Sequence, residues 1–207
     1  LADWMAKHDL MDAAVQERLQ RLEDQVRSDK VMVAFVAEFS RGKSELINAI
    51  FFADYGRRIM PASAGRTTMC PTELGYDANV APSLRLLPIE TRLQMQSLAE
   101  WRVKADRWHE IPLDVGNADQ IAKALEKVAE VRKVSLDNAR ALGFWHDDLT
   151  DENPVPDAQG MVEVPMWRHA IINIPHPLLK QGLVILDTPG LNAVGAEPEL
   201  TVNLIPQ

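Results

Sequence analysis

Gly42, Lys43 and Ser44 close the stretch Ala37-Glu38-Phe39-Ser40-Arg41-Gly42-Lys43-Ser44, set between an apolar run and a helical pattern. This is an A-x-x-x-x-G-K-S form of the phosphate-binding loop. A turn after a strand aims successive backbone N–H groups at an anion, and the following helix adds its positive end. The spacing predicts that Lys43 reaches the β- and γ-phosphates of a nucleotide and that the Ser44 hydroxyl ligates Mg²⁺. Gly42 lets the backbone approach closely, and Ala37 adds only a methyl where the usual first glycine stands. The backbone from Ala37 to Glu45 is the predicted cradle.

A second constellation ends the apolar run Leu183-Val184-Ile185-Leu186, which passes into Asp187-Thr188-Pro189-Gly190. In a phosphate-binding-loop enzyme a carboxylate at a strand end supports Mg²⁺, usually through water. Asp187 is the candidate for that role, and Gly190 for a backbone N–H to the γ-phosphate. Between the two motifs, Pro61 to Leu74 reads as a loop leading into a strand, with Thr67, Thr68 and Thr72 as rivals for a switch hydroxyl on the metal and the attacking water. Arg41 and Arg66 sit where a charge-neutralising finger would act, although a loop arginine facing solvent is the simpler reading of each. The five histidines show no metal-ligand spacing with one another or with Cys70. Trp101 and Trp108 read as a packing stripe.

These groups need a frame. Val31 to Val36 reads as a strand buried on both faces, and Ser44 to Phe52 as a helix. Glu73–Tyr76, Ser83–Leu87, His169–Ile174 and Leu183–Leu186 read as further strands, and residues 91–108 and 118–142 as helices. Asn117 and Gln120 have capping-box spacing, and Gly143 suits a helix end. Residues 147–165 read as an exposed connection. Met11, Val15, Leu19, Leu22 and Val26 form one apolar stripe of an N-terminal helix. The expected class is α/β, a phosphate-binding-loop fold with a mostly parallel central sheet.

Composition narrows the functions. The chain has 207 residues, 46% of them hydrophobic, and a net charge of -8. That balance speaks against nucleic acid as a partner. One cysteine permits no intrachain disulfide, which fits a reducing, cytoplasmic compartment. No apolar run approaches the ~20 residues needed to span a bilayer. The chain opens at Leu1 without a methionine and ends in apolar sequence, as expected of a piece of a longer protein.

The segments E-F-S-R-G-K-S-E-L-I-N-A-I, R-T-T-M-C-P-T-E-L and L-V-I-L-D-T-P-G-L-N, in this order, resemble the GTPase domain of dynamin-family proteins, most closely the bacterial dynamin-like group. The resemblance runs from about Val31 to the chain end. It implies a neck-type helix over 1–30, a partial GTPase domain over 31–207 and an enlarged insertion at about 77–166. It also implies GTP as substrate, Mg²⁺ as cofactor, self-association through the GTPase domain, and peripheral membrane contact through regions outside this chain. The family's T-T-x-x-x-T-E-[IL] setting assigns the switch to Thr68, and its phosphate-loop serine assigns Ser40 to the catalytic water and a charge-compensating cation. Ser40, Lys43 and Thr68 are then the catalytic set, and Ser44, Thr68 and Asp187 the metal set. Phe39 stands where classical dynamins have glutamine, whereas bacterial relatives often share the E-F-S form. The base-reading [NT]-K-x-D segment is expected beyond residue 207, so guanine specificity is implied by the resemblance. Val103-Lys104-Ala105-Asp106 looks similar but precedes Asp187 and is read as coincidence. The alternatives are another class of phosphate-loop nucleotide enzyme, or a non-hydrolysing scaffold whose bound nucleotide regulates assembly.

Overall fold

The structure, a computed structural model, describes residues 30–35, 42–61, 70–147 and 153–188. The N-terminal stripe up to Val26 and the loop residues from Ala37 to Arg41 lie outside them, as do Thr67, Thr68 and Gly190.

Six strands form one sheet in the order β1-β8-β2-β7-β3-β4. They are β1 (Val31–Phe35), β2 (Thr72–Gly75), β3 (Ser83–Pro88), β4 (His109–Pro112), β7 (Trp167–Asn173) and β8 (Leu183–Asp187). The expected α/β class holds. Among the described strands, β1 with β8 and β2 with β7 pair in parallel, while β2 with β8, β3 with β7 and β3 with β4 run antiparallel.

One face of the sheet is covered by α1 (Lys43–Phe51) and α3 (Ala118–Glu126), which set Ile47, Phe51, Ile121 and Leu125 against Leu74, Leu84, Leu86, Ile172 and Ile185. The period of two along β7 sends Ala170 and Ile172 to this core, and Ile171 to a smaller cluster with Leu87, Trp101 and Trp108 on the other face. Trp101 comes from the short helix α2 (Leu98–Arg102), started by a Ser97–Glu100 capping box. The tryptophans pack as expected.

Strand β1 departs from expectation. Val31, Met32 and Val33 are exposed rather than buried on both faces, because among the described strands only β8 pairs with β1 and it stands at the sheet edge.

Two predicted helices break up. Residues 91–108 form a single-turn 3₁₀ segment ending near Leu93, then α2, then another 3₁₀ turn over Ala105–Arg107 before β4. Gln94 is extended (φ -107°, ψ 150°), which stops the first turn and lets Trp101 and Trp108 reach one cluster. Residues 118–142 divide into α3, the strand β5 (Val131–Ser135) and α4 (Leu136–Ala141). Val131 and Val134 favour extended backbone, and β5 gains an antiparallel partner in β6 (Met161–Pro165), a strand in a stretch read as a connection. This ribbon and α4 enclose a small core of Ile89, Val134, Leu142, Phe144, Val162 and Val164. The Asn117 side chain accepts from the Gln120 N–H, so that cap forms as predicted, and Gly143 at φ +77° closes α4 instead of one long helix. A last short helix, α5 (Pro177–Lys180), leads into β8.

Candidate functional site

The site grows from the junction of β1, α1 and β8. Gly42 lies immediately before α1 with φ +82° and ψ 17°, a left-handed conformation that a side chain would strain. A Cβ built there meets nothing within 4 Å, so within the protein the demand for glycine is conformational rather than spatial. The first helical bond is Leu46 N–H to Gly42 C=O at 3.0 Å, and no side chain caps the helix start. The N–H groups of Lys43, Ser44 and Glu45 therefore have no partner within the helix and lie at the positive end of its dipole. Lys43 and Ser44 are half-buried. The exposed Glu45 side chain pairs with Arg58, which leaves its backbone N–H as the group suited to a phosphate.

Asp187 ends β8 in parallel register with Phe35 of β1 and in antiparallel register with Thr72 of β2. It is only 1% exposed, and neither carboxylate oxygen has a hydrogen-bond partner among the described residues. Burial pushes its pKa up to about 6, against the opposing pull of the Lys43 charge. A buried carboxylate without donors is costly unless a cation or bound water satisfies it. The donor chemistry fits a magnesium ion: hard oxygens from a carboxylate and a hydroxyl. Among the described residues there is no cluster of three or more His, Cys, Asp or Glu side chains able to hold a metal by themselves. The carboxylate that feels the Lys43 charge is thus one whose metal shell a nucleotide's own oxygens would complete.

Neighbouring residues hold this corner together. The Thr188 hydroxyl donates to the Phe35 carbonyl at 3.1 Å, tying the segment after β8 to the end of β1. Thr72, one of the rival switch threonines, is buried in β2 and donates to the Cys70 carbonyl at 3.1 Å. Its place is inside the sheet, next to Asp187. Asn48, which motif reasoning passed over, makes four hydrogen bonds from the buried side of α1. Its signal in the sequence was a polar amide within the apolar helix run Leu46-Ile47-Asn48-Ala49-Ile50, where a buried polar group needs partners.

The described residues include Gly42, Lys43, Ser44 and Glu45 of the first motif and Asp187 of the second, and the Lys43 charge acts on the Asp187 carboxylate. Ala37, Glu38, Phe39, Ser40, Arg41, Thr68 and Gly190 lie outside the described residues. Val103 to Asp106 lies between α2 and β4, and Val103 is largely exposed.

Two solved structures of an oligomerised bacterial dynamin pair, described as providing a mechanism for the long-range sensing and tethering of membranes, are similar to the chain at 22% identity. They have TM-scores of 0.44 and 0.42 and cover 94% and 93% of this chain but only 22% and 20% of their own. The chain thus spans about a fifth of the length of those dynamins. No curated protein matches it. The model of the dynamin family, Dynamin_N, matches residues 33–207 and takes in the lysine, the serine and the buried aspartate just described. The chain belongs to the dynamin family and carries its GTPase domain.

Proposed function

We propose that this domain binds GTP with Mg²⁺ and hydrolyses it to GDP and phosphate, and that the full-length protein couples this to self-association and membrane remodelling. The observation that carries the reading is an uncapped helix start bearing Lys43, whose charge acts on a buried carboxylate, Asp187, that has no donor among the described residues. The loop amides and Lys43 hold the phosphates. Ser44, Thr68 and, through water, Asp187 hold Mg²⁺, which supplies charge neutralisation on the transferred phosphoryl group. Ser40 and Thr68 place the nucleophilic water, and Gly190 offers its N–H to the γ-phosphate. Catalysis of this kind rests on positioning and charge stabilisation.

The same reading takes residues 1–30 as a neck-type helix, supported by the apolar stripe from Met11 to Val26, and residues 31–207 as the GTPase domain, with its insertion at about 77–166. Among the described residues no helix is long and apolar enough to cross a membrane. Membrane contact in this reading is peripheral, made from the cytoplasmic side by other parts of the protein.

The test is phosphate release by the full-length protein from GTP and from ATP, with and without anionic lipid vesicles. Release from GTP in preference to ATP supports the proposal. Release from ATP alone overturns the base assignment, and no release under any condition favours the scaffold reading. Thr68→Ala should spare GDP binding yet stop turnover, and unchanged turnover would refute the threonine assignment.

A further inference from the structure

Asn48 uses its whole hydrogen-bonding capacity on backbone. Its Nδ2 donates to the Ser44 carbonyl at 2.9 Å and to the Met60 carbonyl at 3.1 Å. Its Oδ1 accepts from the N–H groups of Ile59 at 2.9 Å and Met60 at 2.7 Å. The residue is buried, as are Ile59 and Met60. One amide therefore ties two separate pieces of backbone: the first turn of α1, which presents Ser44, and the segment that runs toward Thr68. Ile59 and Met60 belong to no strand, so these bonds replace a sheet ladder as the means of fixing them.

We infer that Asn48 is a positioning residue for nucleotide turnover, locking the lead-in to the threonine-bearing segment onto the helix turn that carries Ser44. The inference rests on the GTPase reading above. It predicts an effect selective for the triphosphate state: GDP needs the phosphate cradle, whereas GTP and its hydrolysis also need groups supplied from beyond Met60.

The experiment uses the full-length protein with Asn48→Ala and Asn48→Ser, and reads GDP affinity, affinity for a non-hydrolysable GTP analogue with Mg²⁺, and kcat. Serine at this position can still bond the carbonyl four residues back within the helix, but it is too short to span to Ile59 and Met60. The expected result is GDP affinity within about threefold of wild type in both variants, with analogue affinity or kcat falling tenfold or more; the threefold margin is ~0.6 kcal/mol and the tenfold loss ~1.4 kcal/mol. Wild-type behaviour of Asn48→Ser would overturn the inference, since the bond within the helix would then suffice. Parallel loss of GDP and analogue binding would also overturn it, marking Asn48 as a general folding residue. A wild-type protein that binds neither nucleotide would instead bring down the GTPase reading and this inference with it.

Discussion

A buried carboxylate and a half-buried one lie on adjacent strands one register step apart. Asp187 of β8 faces Thr72, and Glu73 of β2 faces Leu186. Burial alone would raise the pKa of each, yet they end on opposite sides of the ordinary range. Glu73 is held at about 2, because the His169 ring and the Arg102 guanidinium outweigh desolvation. Arg102 pairs with it from α2, and His169 Nε2 lies 3.8 Å from its Oε2. Asp187 has, among the described residues, the Lys43 charge alone to oppose desolvation, and rises to about 6. The difference separates architecture from function. Glu73 is a completed contact, bracing α2 and β7 against the strand that follows the threonine segment. Asp187 is an incomplete one, without a hydrogen-bond partner among the described residues, as expected of a group reserved for a ligand.

The largest expected effect tests what Asp187 waits for. Lys43→Ala should abolish nucleotide binding, a loss of at least ~100-fold given the strength of charge-assisted phosphate contacts. Titration with a fluorescent GDP derivative measures it, and near-normal affinity would detach the helix start from the phosphate site.

Asp187→Asn should lower GTP turnover by ~100-fold while making the nucleotide-free protein more stable by up to about 3 kcal/mol at pH 8, since it removes a buried charge. Denaturant unfolding without nucleotide tests the second half. A less stable variant would mean that the carboxylate has a structural partner after all.

Glu73→Gln should do the reverse. Nucleotide affinity should hold, while stability at neutral pH falls by up to about 3 kcal/mol. The sign follows from the lowered pKa. The ionised pair stabilises the fold above the ordinary glutamate range, near 4.5, and that contribution is lost as pH falls from there toward 2. The wild type should therefore show a steeper loss of stability over that interval than the variant. Identical acid limbs in the two proteins would show that the Arg102 and His169 contacts add nothing.

The smallest effect concerns the helix start. Gly42→Ala should cost ~1–2 kcal/mol of stability, because φ +82° strains any L side chain even where space is open. Nucleotide affinity would fall in step if the turn conformation sets the direction of the amides. A neutral outcome in both measurements would show that the turn relaxes without consequence.

The motifs were legible because each lies at a local transition that sequence alone encodes. An apolar run, a glycine, a lysine and a helical pattern follow one another within a few residues around Gly42. A hydrophobic strand meets an acid at Asp187. The Asn117 cap and the Gly143 helix end were legible for the same reason, since caps depend on neighbours in the chain. Residues 118–142 were not. Their helical pattern continues past Glu126, but Val131 to Ser135 finds a strand partner about thirty residues later in Met161–Pro165, and no local periodicity reports a partner at that distance. Asn48 escaped notice in the same way, because its amide acquires meaning only when Ile59 and Met60 return to it.

The sequence by itself determined the order of the chemistry: a phosphate-binding start, a threonine-bearing segment and a strand-end acid, each written in contiguous residues. Tertiary structure alone decided which polar groups are satisfied. It placed Arg102 and His169 around Glu73 and, among the described residues, no donor at Asp187. The physical reason is that burial and partnership arise from segments distant in the chain. A carboxylate's charge state depends on what surrounds it, and sequence spacing does not carry that information.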